Sequence, residues 1–288
     1  MTSTVDEALQ VCETITREQA RNFFYGIRLL PVAKRSGLCA LYALSRRVDD
    51  IGDGDLPTDA KAAALAGLRE SLNHAETSTD PVLVGVAATA KRFPVPMGAF
   101  GELIDGVEMD VRGRTYETFD QLVEYCRCVA GAVGRLCLGV FGSKPAKDGS
   151  ASDFADALGI ALQQTNILRD IREDFGNGRI YLPREDLDRF DVELKLDGNG
   201  NLVDIDGRLK QLIEFAAHRN RGWYARGWRL MPLLDRRSAA CTGAMSGIYR
   251  RLLDEIAAEP TAVYHQRLSL SGWQKAAVAA RALTGMST

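Results

Sequence analysis

The sequence predicts an all-α protein, a single helical domain over residues 1–288 with about ten helices. Three observations carry this. Apolar residues recur at helical spacing through most of the chain. Ala, Leu, Arg, Glu and Gln are abundant while aromatic residues make up 7%, which is the usage of good helix formers. No stretch sustains the polar–apolar alternation that a half-buried strand shows.

Taken in order, Ala60–Ala75 is Ala- and Leu-rich with its charges on one face. Phe154–Phe175, Leu209–Met231 and Ala239–Glu259 keep apolar residues at helical spacing. Between them stand the breakers Gly52–Thr58, Phe93–Met97, Gly142–Ser152 and Pro183–Gly207. The last contains Asp197-Gly198-Asn199-Gly200-Asn201, a strong turn signal. It lacks the ligand ladder of a calcium loop and so reads as a surface loop. No repeat and no low-complexity run divides the chain.

Composition excludes several classes. Lys and Arg total 36 against 38 Asp and Glu, so the basic excess of a nucleic-acid binder is absent. The longest uncharged stretches, such as Ala157–Leu168 and Ser238–Tyr249, are about 12 residues, and a membrane span needs about 20. The N-terminus has neither a basic region nor an apolar run, so a cytoplasmic protein is expected. Cys12, Cys39, Cys126, Cys128, Cys137 and Cys241 include no pair at zinc-knuckle or redox spacing, which predicts reduced core thiols. His74, His218 and His265 stand alone, without a partner at ligand spacing.

Two acidic segments stand out: Arg46-Arg47-Val48-Asp49-Asp50-Ile51-Gly52-Asp53, and Gln163 to Asp174 with Asn166, Arg169 and Asp170 inside it. Asp49/Asp53 and Asp170/Asp174 are each four apart, which on a helix puts both carboxylates on one face about 6 Å apart along the axis. Asn166, Asp170 and Asp174 form one line, with Gln163 on the same side. Oxygen-only ligands suit Mg²⁺, which keeps waters and is completed by substrate phosphates. A solvated charged face is the plain alternative. Against it, like charges four apart are mildly unfavourable, and a polar line set among Ile160, Leu162, Ile167 and Leu168 suggests the lining of a cavity. If the two segments face each other, four carboxylates need cations to coexist.

These residues resemble the squalene/phytoene synthase family of head-to-head prenyl synthases. The matching stretches are Tyr42 to Asp53 and Ala161 to Pro183. Two further stretches join them: Tyr125-Cys126-Arg127-Cys128-Val129-Ala130-Gly131 with Val133 and Gly134 beyond, and Arg21-Asn22-Phe23-Phe24-Tyr25 before Leu29-Leu30-Pro31. The resemblance spans about residues 17–183, with Tyr249 and Arg267 extending it. It implies an isoprenoid synthase fold, a helical bundle around a central cavity. It also implies two or three Mg²⁺ ions on Asp49, Asp53, Asn166, Asp170 and Asp174. Arg21, Asn22, Tyr42, Arg46, Arg169, Arg179, Tyr249 and Arg267 would contact prenyl diphosphates, with Gln163 nearby. Phe23, Phe24, Val129, Val133 and Leu136 become candidates for the wall of an apolar cavity, and Gly131 and Gly134 would let a tail pass close to the backbone.

The chemistry explains the residue types. Ionising an allylic diphosphate releases a leaving group of high negative charge, which metal ions and arginines must hold. Guanidinium offers the fork that phosphate oxygens accept, although Arg46 and Arg169 could equally make salt bridges within their helices. At about 0.8 kcal/mol per methylene a fifteen-carbon tail supplies roughly 10 kcal/mol of binding before ordering costs.

Within the family, Arg127 stands where phytoene and dehydrosqualene synthases have an aromatic residue, and Ile27 where some relatives have Phe. No dinucleotide fingerprint occurs, and no hydrophobic tail like that of anchored eukaryotic squalene synthases. The pattern is most like bacterial presqualene diphosphate synthases of hopanoid pathways. The first expectation is therefore condensation of two farnesyl diphosphates to presqualene diphosphate. A phytoene or dehydrosqualene synthase is the alternative, and an inactive binding or assembly protein of the same fold is the third. So lipophilic a product implies transient contact with a membrane surface. Oligomeric state is not legible.

Overall fold

The computed structural model describes residues 2–20, 24, 26–147 and 149–284. Among the described residues twelve α-helices have defined bounds, where the sequence suggested about ten. They are α1 (Thr2–Gln19), α2 (Val32–Asp53), α3 (Thr58–Asn73), α4 (Pro81–Arg92), α5 (Gly98–Val111), α6 (Phe119–Cys126), α7 (Ala132–Phe141), α8 (Ala151–Gly176), α9 (Arg184–Arg189), α10 (Arg208–Gly227), α11 (Arg236–Ala258) and α12 (Gly272–Thr284). Among the described residues the sole β interaction is one antiparallel bridge, Leu196 to Leu202, in the loop that the turn signal marked.

The long segments read from the sequence are all helical, and local chemistry fixes their ends. The Ser150 hydroxyl accepts from the Asp153 N–H at 3.0 Å while the Asp153 carboxylate accepts from the Ser150 N–H at 3.2 Å. That reciprocal cap starts α8 three residues before the predicted Phe154. Asp80 caps α4 and Asp235 caps α11, each accepting from two backbone N–H groups. The predicted helix Leu209–Met231 ends at Gly227 and tightens into a 3-10 turn, Trp228–Leu233, which contains Pro232; proline has no N–H to continue an α-helix. The predicted break Pro183–Gly207 opens with the short α9, whose N-cap is Pro183. All three histidines are exposed, and no cysteine is in a disulfide.

Two hydrophobic cores build the body. One, around Leu44, Leu65, Phe100, Ile104 and Leu136, joins α2, α3, α5 and α7. The other, around Tyr116, Leu212, Ile213, Tyr224 and Leu253, joins α10 and α11 to the loop before α6. The 26-residue α8 runs between them. It packs on α7, α10 and α11 and contributes residues to both cores.

Between α6 and α7 the helix widens into a π-turn, Arg127–Gly131. Such a turn inserts one extra residue and re-aims the side chains that follow. It is tightly seated. A Cβ at Gly134 would come 2.6 Å from the Ala155 carbonyl oxygen, and one at Gly159 would run into the Ala130 carbonyl. Arg135 pins the same region, pairing with both oxygens of Glu102 (2.8 and 2.5 Å) and with Asp156 at 2.7 Å.

Candidate active site

The helices leave a hollow of about 270 Å³ at the centre. Close-packed interiors hold few voids larger than a water molecule, so a hollow this size is a feature the bundle is built around. Its walls come from α2, the π-turn, α7, α8 and α11. Along α2 the lining runs from Leu38 to Asp49, which at about 1.5 Å per residue is a depth of about 16 Å. The inner part is apolar, with Leu41, Val133, Leu158, Leu162 and Met245. The outer end carries Tyr42, Arg46, Asp49, Gln163, Asn166 and Tyr249. There it meets a second, polar hollow of about 240 Å³ lined by Asp53, Asp110, Tyr125, Arg179 and Tyr181. We call this the mouth.

The two acidic segments meet at the mouth. The Arg179 guanidinium, five residues beyond Asp174, donates to Asp53 at 3.0 Å, across 126 positions of sequence. Asp49 and Asn166, one from each acidic helix, line the same cavity. Burial, reinforced by Asp53, pushes the Asp49 carboxyl up to about 7. Burial and the neighbouring Asp170 push Asp174 up to about 7 as well. Burial would also raise Asp170, but hydrogen bonds from Arg169 and Arg267 outweigh it and hold that carboxyl below its ordinary value. Arg169 grips both Asp170 oxygens, and Arg267 reaches them at 2.7 and 3.3 Å. Arg46 pairs within its helix with Asp50 at 2.6 Å. The helical salt bridge weighed for Arg46 is therefore present, and Arg169 bonds to the very next residue.

The donor set fits a hard divalent cation. Asn166 donates to Gln163 at 3.3 Å, while its Oδ1 is buried with no hydrogen-bond partner among the described residues. A buried carbonyl oxygen left without a partner is costly, and it points to a ligand. Asp49 and Asp174, raised by crowding and burial, are what a bound cation would relieve. Among the described residues no three His, Cys, Asp or Glu side chains already converge as a ready-made metal cluster. The fit is thus to ions shared between a protein carboxylate pair and ligand oxygens.

Of the predicted residues, Tyr42, Arg46, Asp49, Val133, Gln163, Asn166 and Tyr249 line the cavity, and Asp53 and Arg179 line the mouth. Asp170, Arg169 and Arg267 form an adjoining ion-pair network, and Asp174 stands beside it within electrostatic reach of Asp170 and Arg179. Arg21, Asn22 and Phe23 lie outside the described residues. Four expectations are corrected. Leu136 is fully buried in the first core and Phe24 packs on that core, so neither lines the cavity. The space beside Gly131 is filled by Asp156, so it leaves no room for a tail, whereas Gly134 does line the cavity while also letting α7 approach the Ala155 backbone of α8.

Arg127 is the fourth correction. Its side chain is 52% exposed, pairs with Asp156 at 3.2 Å and points away from the cavity lining. It therefore does not touch the cavity, whereas Ile27 does line it.

Sequence reasoning missed Asp110. Its carboxylate accepts from the Tyr125 and Tyr181 hydroxyls, each at 2.8 Å, and the two rings stack at 5.3 Å. Burial raises the Asp110 carboxyl, and the two tyrosine hydrogen bonds temper the rise. No second acid lies four residues away, so spacing gave no signal. A readable one existed: Asp110 continues the buried stripe Leu103–Val107 at helical period.

Comparison with known proteins agrees with this geometry. The family model described as Squalene/phytoene synthase matches residues 16–274. A phytoene synthase of Mycobacterium tuberculosis is 55% identical over 284 residues, covering 99% of this chain and 93% of that protein. A dehydrosqualene synthase crystallised with a ligand superposes with TM-score 0.83 at 27% identity, covering 98% of this chain and 97% of the other. A squalene synthase from Alicyclobacillus acidocaldarius superposes with TM-score 0.75 at 30% identity, covering 88% and 95%. The all-α isoprenoid synthase fold is common to them. Among the described residues no helix is long and apolar enough to cross a membrane.

Proposed function

Because the chain belongs to the squalene/phytoene synthase family, we propose that it joins two twenty-carbon prenyl diphosphates head to head, giving phytoene and two diphosphates. The observation that carries the twenty-carbon reading is the 55% identity, over 99% of this chain, to a protein named phytoene synthase. This replaces the first expectation, two farnesyl diphosphates to presqualene diphosphate, for which Arg127 was one of several grounds. The two solved structures named for fifteen-carbon chemistry share 27% and 30% of their residues with this chain, which keeps the fifteen-carbon substrate as a second reading.

In this reading the mouth holds the diphosphates and the cavity the tails. Asp49, Asp53, Asn166, Asp170 and Asp174 hold divalent ions, Mg²⁺ by their oxygen-only chemistry, and bound Mg²⁺ neutralises charge that develops on the departing diphosphate. Arg46, Arg169, Arg179 and Arg267, with Tyr42 and Tyr249, bind phosphate oxygens. For each arginine this means exchanging a carboxylate partner for a phosphate: Asp50 for Arg46, Asp170 for Arg169 and Arg267, and Asp53 for Arg179. The allylic C–O bond breaks with its electron pair leaving on the diphosphate. The double bond of the second substrate then attacks the cationic carbon, and loss of a proton closes a cyclopropane. Loss of the second diphosphate, rearrangement and loss of another proton complete the hydrocarbon, so no reductant is consumed.

The apolar walls around Leu41, Val133, Leu158 and Leu162 keep water from the cation. Among the described residues no histidine lines the cavity or the mouth, so none is placed as a base there. The Cys137 thiol, in the cavity wall, is pushed up to about 12 by burial and keeps its own proton. The released diphosphate is the proton acceptor this leaves. A product this lipophilic is expected to leave toward a membrane surface.

The test is product identification. The purified protein is incubated with Mg²⁺ and either farnesyl or geranylgeranyl diphosphate, without NADPH, and products are read by mass spectrometry. The reading expects a forty-carbon hydrocarbon from the twenty-carbon substrate. Consumption of farnesyl diphosphate alone overturns it in favour of the second reading. Turnover of neither, with no Mg²⁺-dependent ligand binding, would leave a binding protein of this fold.

A further inference from the structure

Three residues line both the apolar cavity and the polar mouth: Asp49, Val129 and Gln163. They form a neck. A ligand with its charged head in the mouth and its tail in the cavity threads between them. Asp49 and Gln163 are its polar sides, and Val129 is its apolar side.

The placement of Val129 depends on unusual backbone. It is the middle residue of the π-turn Arg127–Gly131, and its side chain packs on both hydrophobic cores. Removing the extra residue of such a turn would rotate the following side chains by about 100°. Behind Val129 stands Gly106 of α5. A Cβ there would lie 2.5 Å from Val129 Cγ1, with Cys128 Cβ at 3.1 Å and the Val129 backbone nitrogen at 3.3 Å, so the severe overlap is with the Val129 side chain. Real side chains do not approach to 2.5 Å, so the bare glycine is what lets Val129 sit back against α5. On the opposite side Gly159 and the Arg135 ion pairs prevent the turn from sliding.

We propose that Val129 is a specificity-determining gate and Gly106 its positioning residue. Together they set the width of the neck, and so select slim, linear tails. The inference rests on the reading of the cavity as a tail site, so its test pairs a prenyl ligand with a probe that needs no diphosphate.

The probe is cis-parinaric acid, an eighteen-carbon fluorescent acid whose emission rises on entering an apolar cavity. The second ligand is geranylgeranyl thiodiphosphate with Mg²⁺, and inorganic diphosphate with Mg²⁺ is the control. Gly106→Ala pushes Val129 into the neck, and is expected to slow probe uptake and weaken thiodiphosphate binding by about tenfold while inorganic diphosphate binding stays within about twofold. Val129→Ala is expected to speed uptake by about threefold, and the double variant Gly106→Ala/Val129→Ala to return to within about threefold of wild type. A purely structural lesson at Gly106 would not be rescued by deleting two methyl groups elsewhere. If Gly106→Ala does not fold, Val129→Ala decides alone, and unchanged uptake there overturns the gate. Failure of the double variant to recover, or equal loss of prenyl and inorganic ligands in Gly106→Ala, also overturns it. If the probe follows the expected pattern while wild type binds no prenyl ligand, the gate stands and the proposed function falls.

Discussion

The acid pairs of α2 and α8 have the same spacing and opposite surroundings. Among the described residues no hydrogen bond or ion pair reaches Asp49, while Asp170 is held by two arginines. The cause is one position of sequence. In α2 Arg46 pairs with Asp50, leaving Asp49 to face the cavity. In α8 Arg169 pairs with Asp170 itself. The second members differ too: Asp53 is largely exposed and bound to Arg179, whereas Asp174 is half-buried and raised. Among the described residues each pair therefore has one carboxylate without an ion pair, Asp49 and Asp174, and one that must exchange arginine for a cation, Asp53 and Asp170.

That contrast can be broken outright. Asp49→Ala and Asp170→Ala should each reduce turnover by about a hundredfold or more, because each removes charge aimed at the leaving group. Circular dichroism should show unchanged helical content. Activity within about threefold of wild type in either variant would remove the metal-site assignment.

A smaller effect is expected on stability against pH. Asp49 and Asp174 are raised from 3.8 to about 7 in the folded chain. Between those values the folded state binds more protons than the unfolded one, so their contribution is full below about pH 4 and is lost as pH rises through about 7. Without metal, the melting temperature should fall over that window. Asp49→Asn/Asp174→Asn should flatten the fall, and Mg²⁺ with diphosphate should oppose it in wild type. An unchanged slope in the double variant would contradict the assignment. Asp170, shifted the opposite way, should contribute an opposite slope.

The two arginines on Asp170 should separate as well. The Arg169 side chain is 11% exposed and that of Arg267 53%. Arg169→Gln strips a buried carboxylate of its nearer partner and should destabilise by about 3 kcal/mol. Arg267→Gln should cost about 1 kcal/mol or less. Urea unfolding measures both, and equal losses would contradict the contrast. The smallest effect belongs to Arg127→Ala, which lies outside the cavity. The ratio of rates on twenty- and fifteen-carbon substrates should stay within about twofold of wild type.

Much of this was legible in the sequence. Helical period located the long helices, and the spacing of Asp49/Asp53 and of Asn166/Asp170/Asp174 picked out two faces, of which Asp49, Asp53 and Asn166 line the cavity or its mouth. The partners were not legible, because they arise from tertiary contact. Arg179 reaches Asp53 and Arg267 reaches Asp170 across long stretches of chain. Asp110 hid because a single acid on an apolar stripe has no spacing signature. Leu136 and Val133 look alike in sequence, yet one faces the core and the other the cavity, and the π-turn before them shifts the register that a regular helix would give. Arg127 misled for the same reason: its residue type was read without knowing that it points outward.

The most direct test of the central claim is a crystal structure with Mg²⁺ and a prenyl thiodiphosphate. The account predicts metal ions at about 2.1 Å from carboxylate oxygens of both pairs, Asp49/Asp53 and Asp170/Asp174, with the diphosphate between α2 and α8. A diphosphate bound elsewhere, or ions on one pair with the other still closed by its arginines, would contradict it.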